Sequence, residues 1–209
     1  MAEEGEGTYT LVKENGESSN SSREYTGKGT ATYANGEIYE GEFVEGVNYH
    51  LLIKIREGKG KYTYANGDIY VGGFKANQKS GIGKITYNNG KGEYFGYFEN
   101  GKKHGEGLFK YPNRDCYSGW WKFGKKQGKG TYIYANSNMK FVGDWFEGEF
   151  LEGKWIFPNG TVYEGKFKNN KPDGTGIWTF KNGNTVTGVY SQEIIPNEED
   201  EVIYIIIKI

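Results

Sequence analysis

Apolar and polar residues alternate along most of this chain in a five-residue phrase that returns about every 23 residues. The phrase is an aromatic residue, any residue, glycine, any residue and a second aromatic residue. Its copies, of which the last is weakened, are Tyr39–Phe43, Tyr70–Phe74, Tyr94–Phe98, Tyr117–Trp121, Phe141–Trp145, Tyr163–Phe167 and Val186–Tyr190. Residues two positions apart share one face of a β-strand. Each copy is therefore predicted to be a strand that places its aromatic residues on one face.

A second alternating phrase, glycine, any residue, a large apolar residue, any residue and an aromatic, lies between the copies, as in Gly60–Tyr64 and Gly176–Phe180. About seven polar residues precede it, and an Asn-Gly pair such as Asn35-Gly36 or Asn66-Gly67 follows it. Asn-Gly between two alternating runs is typical of a hairpin with a type I′ turn, in which both turn residues have positive φ. Each repeat is thus predicted to be a β-hairpin.

Self-similarity at a fixed period of this length is typical of stacked-repeat proteins. We therefore predict an all-β fold, an elongated single-layer antiparallel meander in which one hairpin pairs with the next. Glycine between the two aromatic residues is expected because a Cβ at that position would intrude on rings that lie across the backbone. Stacks of this kind usually serve as binding surfaces or scaffolds.

The composition narrows the classes of function. The 209 residues include 34 Gly and 18 Tyr, and the periodic placement of the glycines excludes a disordered chain. With 26 basic and 27 acidic side chains, nucleic acid is not expected as the main partner. The single cysteine, Cys116, fits a reducing compartment, and neither a secretory signal nor an apolar membrane-spanning run is visible in the sequence. We expect a cytoplasmic protein.

The combined pattern, Tyr-x-Gly-x-aromatic, a polar loop, Gly-x-Gly-x-aromatic-x-aromatic and Asn-Gly, resembles the MORN repeat (membrane occupation and recognition nexus). The resemblance covers roughly residues 25–190. Within that superfamily, the acidic start, the degenerate first unit at Tyr25 and the closing run at Tyr163–Phe180 resemble the MORN-repeat component of the radial spoke head of motile cilia.

That resemblance implies a non-catalytic scaffold of the axoneme, located in the cytoskeleton of a cilium or flagellum, which supports the regulation of motility. Its implied partners are other radial spoke head proteins, and a homodimer is possible. The alternative is a peripheral membrane module that binds anionic phospholipids. A third interpretation, the targeting part of a lipid kinase or methyltransferase, is disfavoured because no catalytic-domain sequence follows the repeats.

Three segments are expected along the chain: an acidic and polar N-terminal segment over 1–24, the repeat array over 25–190 and a C-terminal tail over 191–209. The repeat spacing rises to 31 near residues 47–57, where an apolar insertion interrupts a loop that is polar elsewhere. That insertion is either a side flap or a translated intron. The β-branched run Val202–Ile209 is likewise either an added strand or a gene-model artefact.

The sequence offers little chemistry for catalysis. The two histidines, His50 and His104, have no cysteine or carboxylate at the spacing of a metal site or a catalytic triad. We therefore expect no enzyme activity, no cofactor and no metal site.

Lysines recur in the polar loops of successive repeats. If those loops align, the lysines form a basic ridge along one edge, which fits an anionic lipid surface or an acidic partner. The alternative is that they keep the loops soluble and discourage edge pairing. The predicted ridge consists of Lys75, Lys79, Lys102, Lys103, Lys122, Lys125, Lys126, Lys168 and Lys171.

The face opposite the aromatic residues is polar in the early repeats and becomes apolar from the third full unit onward. Strand alternation places Trp121 on the aromatic face and its neighbour Trp120 on this second face. An exposed apolar patch marks an interaction surface unless another segment of the chain covers it. The predicted patch consists of Phe95, Tyr97, Leu108, Trp120, Ile133, Val142 and Ile156.

Overall fold

The computed structural model describes residues 8–20, 25–44, 55–196 and 201–208, and these residues divide into two compact units at Pro112. The first unit is built from strands that follow one another along the chain. They are β1 (Tyr9–Lys13), β2 (Ser18–Ser19), β3 (Gly27–Tyr33), β4 (Ile38–Val44), β5 (Ile55–Thr63), β6 (Ile69–Lys75), β7 (Gln78–Thr86), β8 (Glu93–Glu99) and β9 (Lys102–Lys110).

The second unit continues the same series of hairpins. Its strands are β10 (Cys116–Lys122), β11 (Lys125–Ile133), β12 (Lys140–Phe146), β13 (Glu149–Ile156), β14 (Val162–Lys168), β15 (Lys171–Thr179), β16 (Thr185–Pro196) and β17 (Glu201–Lys208). The one helical element within the described residues is a 3-10 turn at Asn88–Gly90, between β7 and β8.

Consecutive strands pair antiparallel from β3 to β9 in the first unit and from β10 to β17 in the second. The prediction of an all-β antiparallel meander of stacked hairpins is confirmed. The register aligns glycine with glycine across strands, as in Gly72 with Gly83 and Gly83 with Gly96.

The core is a ladder of rings on one face. Tyr70 meets Phe74 of its own strand edge-on, at 5.2 Å between ring centroids, and meets Phe98 of the next repeat in the same way at 5.0 Å. The same pairs recur in the second unit, where Tyr117 meets Trp121 and Trp145. Edge-to-face contacts are the preferred geometry of aromatic pairs. The aromatic rings of successive repeats thus bury one another and form the core without a second layer of secondary structure.

Where the phrase strands from β4 to β14 pair with the strand that follows them, the register shifts after the glycine, as between Gly72 and Phe74, and the extra residues of this β-bulge lie on the return strand. On the return strand, the first glycine of Gly-x-Gly, here Gly81, takes φ of 67° and accommodates the bulge. The second glycine lies under the tyrosine ring. A Cβ on Gly72, the glycine between Tyr70 and Phe74, would lie 2.4 Å from the Tyr70 hydroxyl, which confirms the reason predicted for glycine between the aromatic residues.

The turns differ from the prediction. In the Asn-Gly loops at Gly36, Gly67, Gly160 and Gly183 only glycine has positive φ, and asparagine accepts a hydrogen bond from the backbone two residues later. The type I′ prediction is therefore wrong for these four loops, whereas in the fifth both Asn89 and Gly90 have positive φ, as predicted. Two-residue turns with both φ positive also lie in the loops predicted as seven polar residues, at Ala76-Asn77, Asn100-Gly101 and Asn169-Asn170. Most of those polar residues belong to strands.

The predicted segment boundaries at 25 and 190 stay predictions. Before residue 25, the described residues include β1, which pairs with β3 and buries Tyr9 and Leu11. Most of the predicted insertion lies outside the described residues, and its last positions, from Ile55, belong to β5. The described part of the β-branched C-terminal run forms β17, which pairs antiparallel with β16.

Candidate functional site

The two faces of the sheet differ sharply in exposure. Trp121 is 4% exposed on the aromatic face, whereas Trp120 is 50% exposed, as strand alternation predicted. The same contrast separates the buried Tyr94 and Phe98 from the exposed Phe95 and Tyr97. The second face therefore presents large apolar side chains to solvent, which is the usual mark of an interaction surface.

In the first unit, the second face forms an open trough with a volume of about 840 Å³. Paired glycines of the phrases form its floor, because they leave the backbone without side chains there. The side chains that line it are Lys28, Glu40, Glu42, Lys59, Lys61, Val71, Ile82, Lys84 and Phe95. The trough is thus charged at the early repeats and apolar toward β8.

Its apolar end is continuous across strands. Phe95 is aligned with Leu108 of β9, and Tyr97 is aligned with Ile82 of β7. Phe95, Tyr97, Ile82 and Val71 are each about half exposed, and Leu108 is half-buried. The predicted patch members of this unit therefore lie together, and the structure adds Val71 and Ile82. Val71 and Ile82 could have been predicted from the sequence, because each directly precedes a phrase glycine, Gly72 or Gly83, and so lies on the second face.

Ion pairs flank the trough. Lys61 contacts Glu40 at 2.8 Å, and Glu93 contacts both Lys84 at 2.6 Å and Lys110 at 3.1 Å. The side-chain hydrogen bonds from Lys84 and Lys110 lower the pKa of Glu93. Because these pairs are exposed, they contribute little stability and mainly fix the charge pattern of the surface.

In the second unit, the remaining patch members are less exposed than predicted. Trp120 is half exposed, whereas Ile133, Val142 and Ile156 are half-buried. Leu151 and Ile177 are exposed there instead, at 45% and 44%. A residue's exposure depends on the size of the side chains in adjacent strands, which periodicity alone does not give.

The nine predicted ridge lysines do not lie on one exposed ridge. The exposed members are Lys75, Lys102, Lys122, Lys125 and Lys168, and Lys171 is half-buried. Lys79, Lys103 and Lys126 lie on the aromatic face, where Lys79 is only 7% exposed. The predicted single ridge is wrong because the turns contain only two residues. Strand alternation therefore continues through the predicted loops and places Lys79, Lys103 and Lys126 on the side of the rings.

Each of these inward cations lies among aromatic rings. The Lys79 Nζ donates to the Tyr64 hydroxyl at 2.6 Å, and the Lys103 Nζ lies 4.7 Å from the centre of the Phe109 ring. Arg56 occupies the equivalent place in the preceding repeat, 4.7 Å from the Tyr62 ring. Burial lowers the pKa of Lys103 and that of Lys126 to about 8.

One hairpin edge also carries exposed aromatic residues. Phe123 is 62% exposed in the turn between Lys122 and Lys125, and Phe146 is 54% exposed at the next hairpin of the same unit. Lys125 forms an ion pair with Glu147. An exposed ring between lysines is a feature that suits the interface of an anionic membrane.

Two further observations concern chemistry. The described residues contain no cluster of three metal-ligating side chains, and His104 contacts Glu99 at 3.2 Å; His50 lies outside them. Nor do they include a helix long and apolar enough to cross a membrane.

Comparisons with known proteins agree with the repeat pattern. The family model described as MORN repeat matches residues 24–38, 54–69, 70–92, 94–116, 117–139 and 163–185, which is more than half of the chain. No curated protein matches. Among solved structures, the chain is similar to the TCP domain of SAS-4 (dCPAP) in complex with a proline-rich motif of Ana2 (dSTIL) from Drosophila melanogaster. The similarity is 20% identity over 77% of this chain and 83% of that one, with a TM-score of 0.46.

Proposed function

Since the chain belongs to the MORN-repeat family, we propose that it is a non-catalytic scaffold that binds proteins through the second face of its sheet. MORN repeats suggest a role in protein interaction or membrane binding. The observation that carries the choice is the row of half-exposed Val71, Ile82, Phe95 and Tyr97 beside the charged end of the trough. Aromatic anchors beside polar groups are typical of protein interfaces.

The finer proposal is a subunit of the radial spoke head in a ciliary or flagellar axoneme. Its support is the resemblance of the repeat order, the acidic start and the closing run to that component. On this proposal the sheet holds other spoke-head proteins at a defined spacing, and its action is architectural.

The test is co-purification from a ciliated cell that expresses a tagged copy of the full chain. Phe95→Ala with Tyr97→Ala should leave the protein folded, because both side chains are half exposed, and should remove bound spoke-head subunits at least ten-fold. The matched control is Thr86→Ala, an exposed change on the same face of β7. Normal assembly of a folded double variant would refute this binding surface.

The second candidate is a peripheral membrane module, favoured by the exposed Phe123 between Lys122 and Lys125. Its test is sedimentation with vesicles that contain a fifth of anionic lipid. If lipid is the ligand, wild-type binding should be salt-sensitive, and Phe123→Ser with Lys122→Glu should abolish it. The scaffold proposal expects no specific vesicle binding and no effect of that variant on assembly.

A further inference from the structure

At one position of the repeat a cationic side chain extends into the ring ladder in several repeats, and other residue types occupy that position in the rest. It is the residue aligned with the second aromatic residue of each phrase, as Lys79 is with Phe74 and Lys126 with Trp121. Along the chain its occupants are Arg56, Lys79, Lys103, Lys126, Phe150 and Pro172.

The Lys126 ammonium lies among aromatic rings. Its Nζ lies 3.9 Å from the centre of a Trp145 ring, 5.2 Å from that of Tyr132 and 5.5 Å from that of Tyr117. Within the described residues its ammonium has no carboxylate partner, whereas its neighbour Lys125 is exposed and paired with Glu147. The titratable groups around it are Tyr117, Tyr132 and, hydrogen-bonded to the Tyr132 hydroxyl at 2.8 Å, the carboxylate of Asp115.

Such a site favours the neutral amine. Rings attract the ammonium, but they replace only part of the hydration that it loses. Desolvation is the cause that lowers the pKa of Lys126 to about 8. The neutral amine has a free electron pair, and lysines desolvated in apolar pockets are activated nucleophiles for this reason.

The same site accepts uncharged groups. In the two following repeats the position holds Phe150, which is 1% exposed, and Pro172, which is buried. The ring ladder is intact at both, since Phe150 lies 4.7 Å from Phe167, and Phe167, which is aligned with Pro172, meets Tyr163 at 5.2 Å. A neutral amide on Lys126 would therefore suit the surroundings as well as the cation does. Lys126 is also half-buried and not fully enclosed, so a small reagent can reach it.

We propose that Lys126 is an acylation site, at which the ε-amine takes an acyl group from an acyl thioester in preference to the exposed lysines. The amine attacks the thioester carbonyl carbon, the new C–N bond forms, and the C–S bond breaks. The thiolate leaves with the electron pair and takes the proton that the nitrogen loses. The products are an amide on Lys126 and a free thiol, and no oxidant or reductant is needed.

The test uses the folded full chain and a small acetyl thioester, S-acetyl-N-acetylcysteamine, with site-resolved mass spectrometry of initial rates. At pH 7.4 about a fifth of an amine with pKa about 8 is neutral, against about one in a thousand for an ordinary lysine. After allowance for the weaker basicity and partial burial, Lys126 should acetylate about ten-fold faster than Lys125. The rate at Lys126 should level off above pH 8.

The controls separate reactivity from access. In guanidinium chloride the preference for Lys126 over Lys125 should vanish, because unfolding removes the rings. Lys126→Gln should stay folded by circular dichroism and lose only the label on this site. Equal or slower labelling of Lys126 in the folded chain, or a rate that rises without levelling through pH 10, would overturn the proposal.

Discussion

Tyr70 shows why single residues of the phrase are fixed so firmly. Its ring covers Gly72 and Gly83, and its hydroxyl donates to the Gly73 carbonyl at 2.9 Å. The equivalent hydroxyl of Tyr117 donates to the Trp120 carbonyl. Tyr39 and Tyr94 occupy the position of Tyr70 in other repeats, and burial raises the pKa of each of their hydroxyls well above the ordinary range. This residue-scale arrangement could be predicted from the sequence, because a ring and a glycine two positions apart share a face.

Gly119→Val should therefore destabilise the fold. A Cβ at Gly119 would lie 2.5 Å from the Gly130 Cα and 2.7 Å from the Tyr117 hydroxyl. Overpacking of this kind costs about 1–3 kcal/mol of unfolding free energy, measurable by chemical denaturation. Ser118→Val, on the exposed second face, is the matched control and should change stability little. Equal stability of the two variants would refute the role assigned to the glycine.

Arg114 should be replaceable with a gain in stability. It has φ of 68° in the loop where other repeats place glycine, such as Gly160 with φ of 86°. A left-handed conformation costs a non-glycine residue about 1 kcal/mol. Arg114→Gly should raise the unfolding free energy by up to about 1 kcal/mol, and Gly160→Arg should lower it by a similar amount. Thermal melts of both variants check this, and a loss of stability in Arg114→Gly would contradict it.

Buried lysines and tyrosines set the dependence of stability on alkaline pH. The pKa of Lys103 and that of Lys126 are about 8 in the folded chain, below the ordinary 10.5, so the unfolded chain binds more protons between these values. Stability should rise from pH 8 to about pH 10. Raised tyrosine pKa values, such as about 12 for Tyr163, reverse the sign above pH 10. Lys126→Met should reduce the rise, as measured by denaturation at each pH.

At the scale of the hairpin, the turns decide which side chains face the rings. The sequence showed where hairpins reverse, but it did not distinguish a two-residue turn such as Ala76-Asn77 from a longer polar loop. That difference moves Lys79, Lys103 and Lys126 from an exposed edge to the aromatic face. The sequence feature that would have shown this is the number of residues between aligned glycines, such as Gly72 and Gly83. After the bulge, that number leaves room only for a two-residue turn.

Adjacent hairpins are also linked by acidic residues that follow the asparagine loops. Asp115 is 5% exposed and accepts hydrogen bonds from the Ala135 backbone at 2.7 Å and from the Tyr132 hydroxyl at 2.8 Å. Glu37 accepts from Tyr62 in the same way in the first unit. Burial opposes the charge of Asp115, but the hydrogen bonds from Ala135, Tyr132 and Asn113 outweigh it and lower the pKa of its carboxyl.

Asp115→Ala should separate the linked loops. It leaves the Ala135 amide and the Tyr132 hydroxyl without this acceptor, so we expect a loss of about 1–3 kcal/mol. Because the folded pKa of Asp115 is lowered, its contribution is present above pH 4 and is lost as pH falls through the folded value. Denaturation at pH 7 and pH 3 measures both effects. The variant and wild type should differ less at pH 3, and an unchanged difference would contradict this role.

For the whole molecule, periodicity was enough to predict the all-β meander, because every repeat has the same strand pattern. The family was predicted from the resemblance of the motif to the MORN repeat. Periodicity was not enough to predict the surface. Phe95 is 56% exposed and Ile156 is half-buried, although both were expected in one patch. Many scaffold proteins share this repeat, so the repeat pattern does not identify a partner. The spoke-head proposal therefore rests on resemblance.

The most direct test of protein binding by the second face is site-specific photo-crosslinking in ciliated cells. A photoreactive benzoyl-phenylalanine replaces Phe95 in one copy and Thr86 in a control copy, both exposed on the same face. The scaffold account predicts a discrete protein adduct, containing a spoke-head subunit, from position 95 and at least ten-fold less from position 86. Equal yields at both positions, or adducts with lipid alone at position 95, would contradict it.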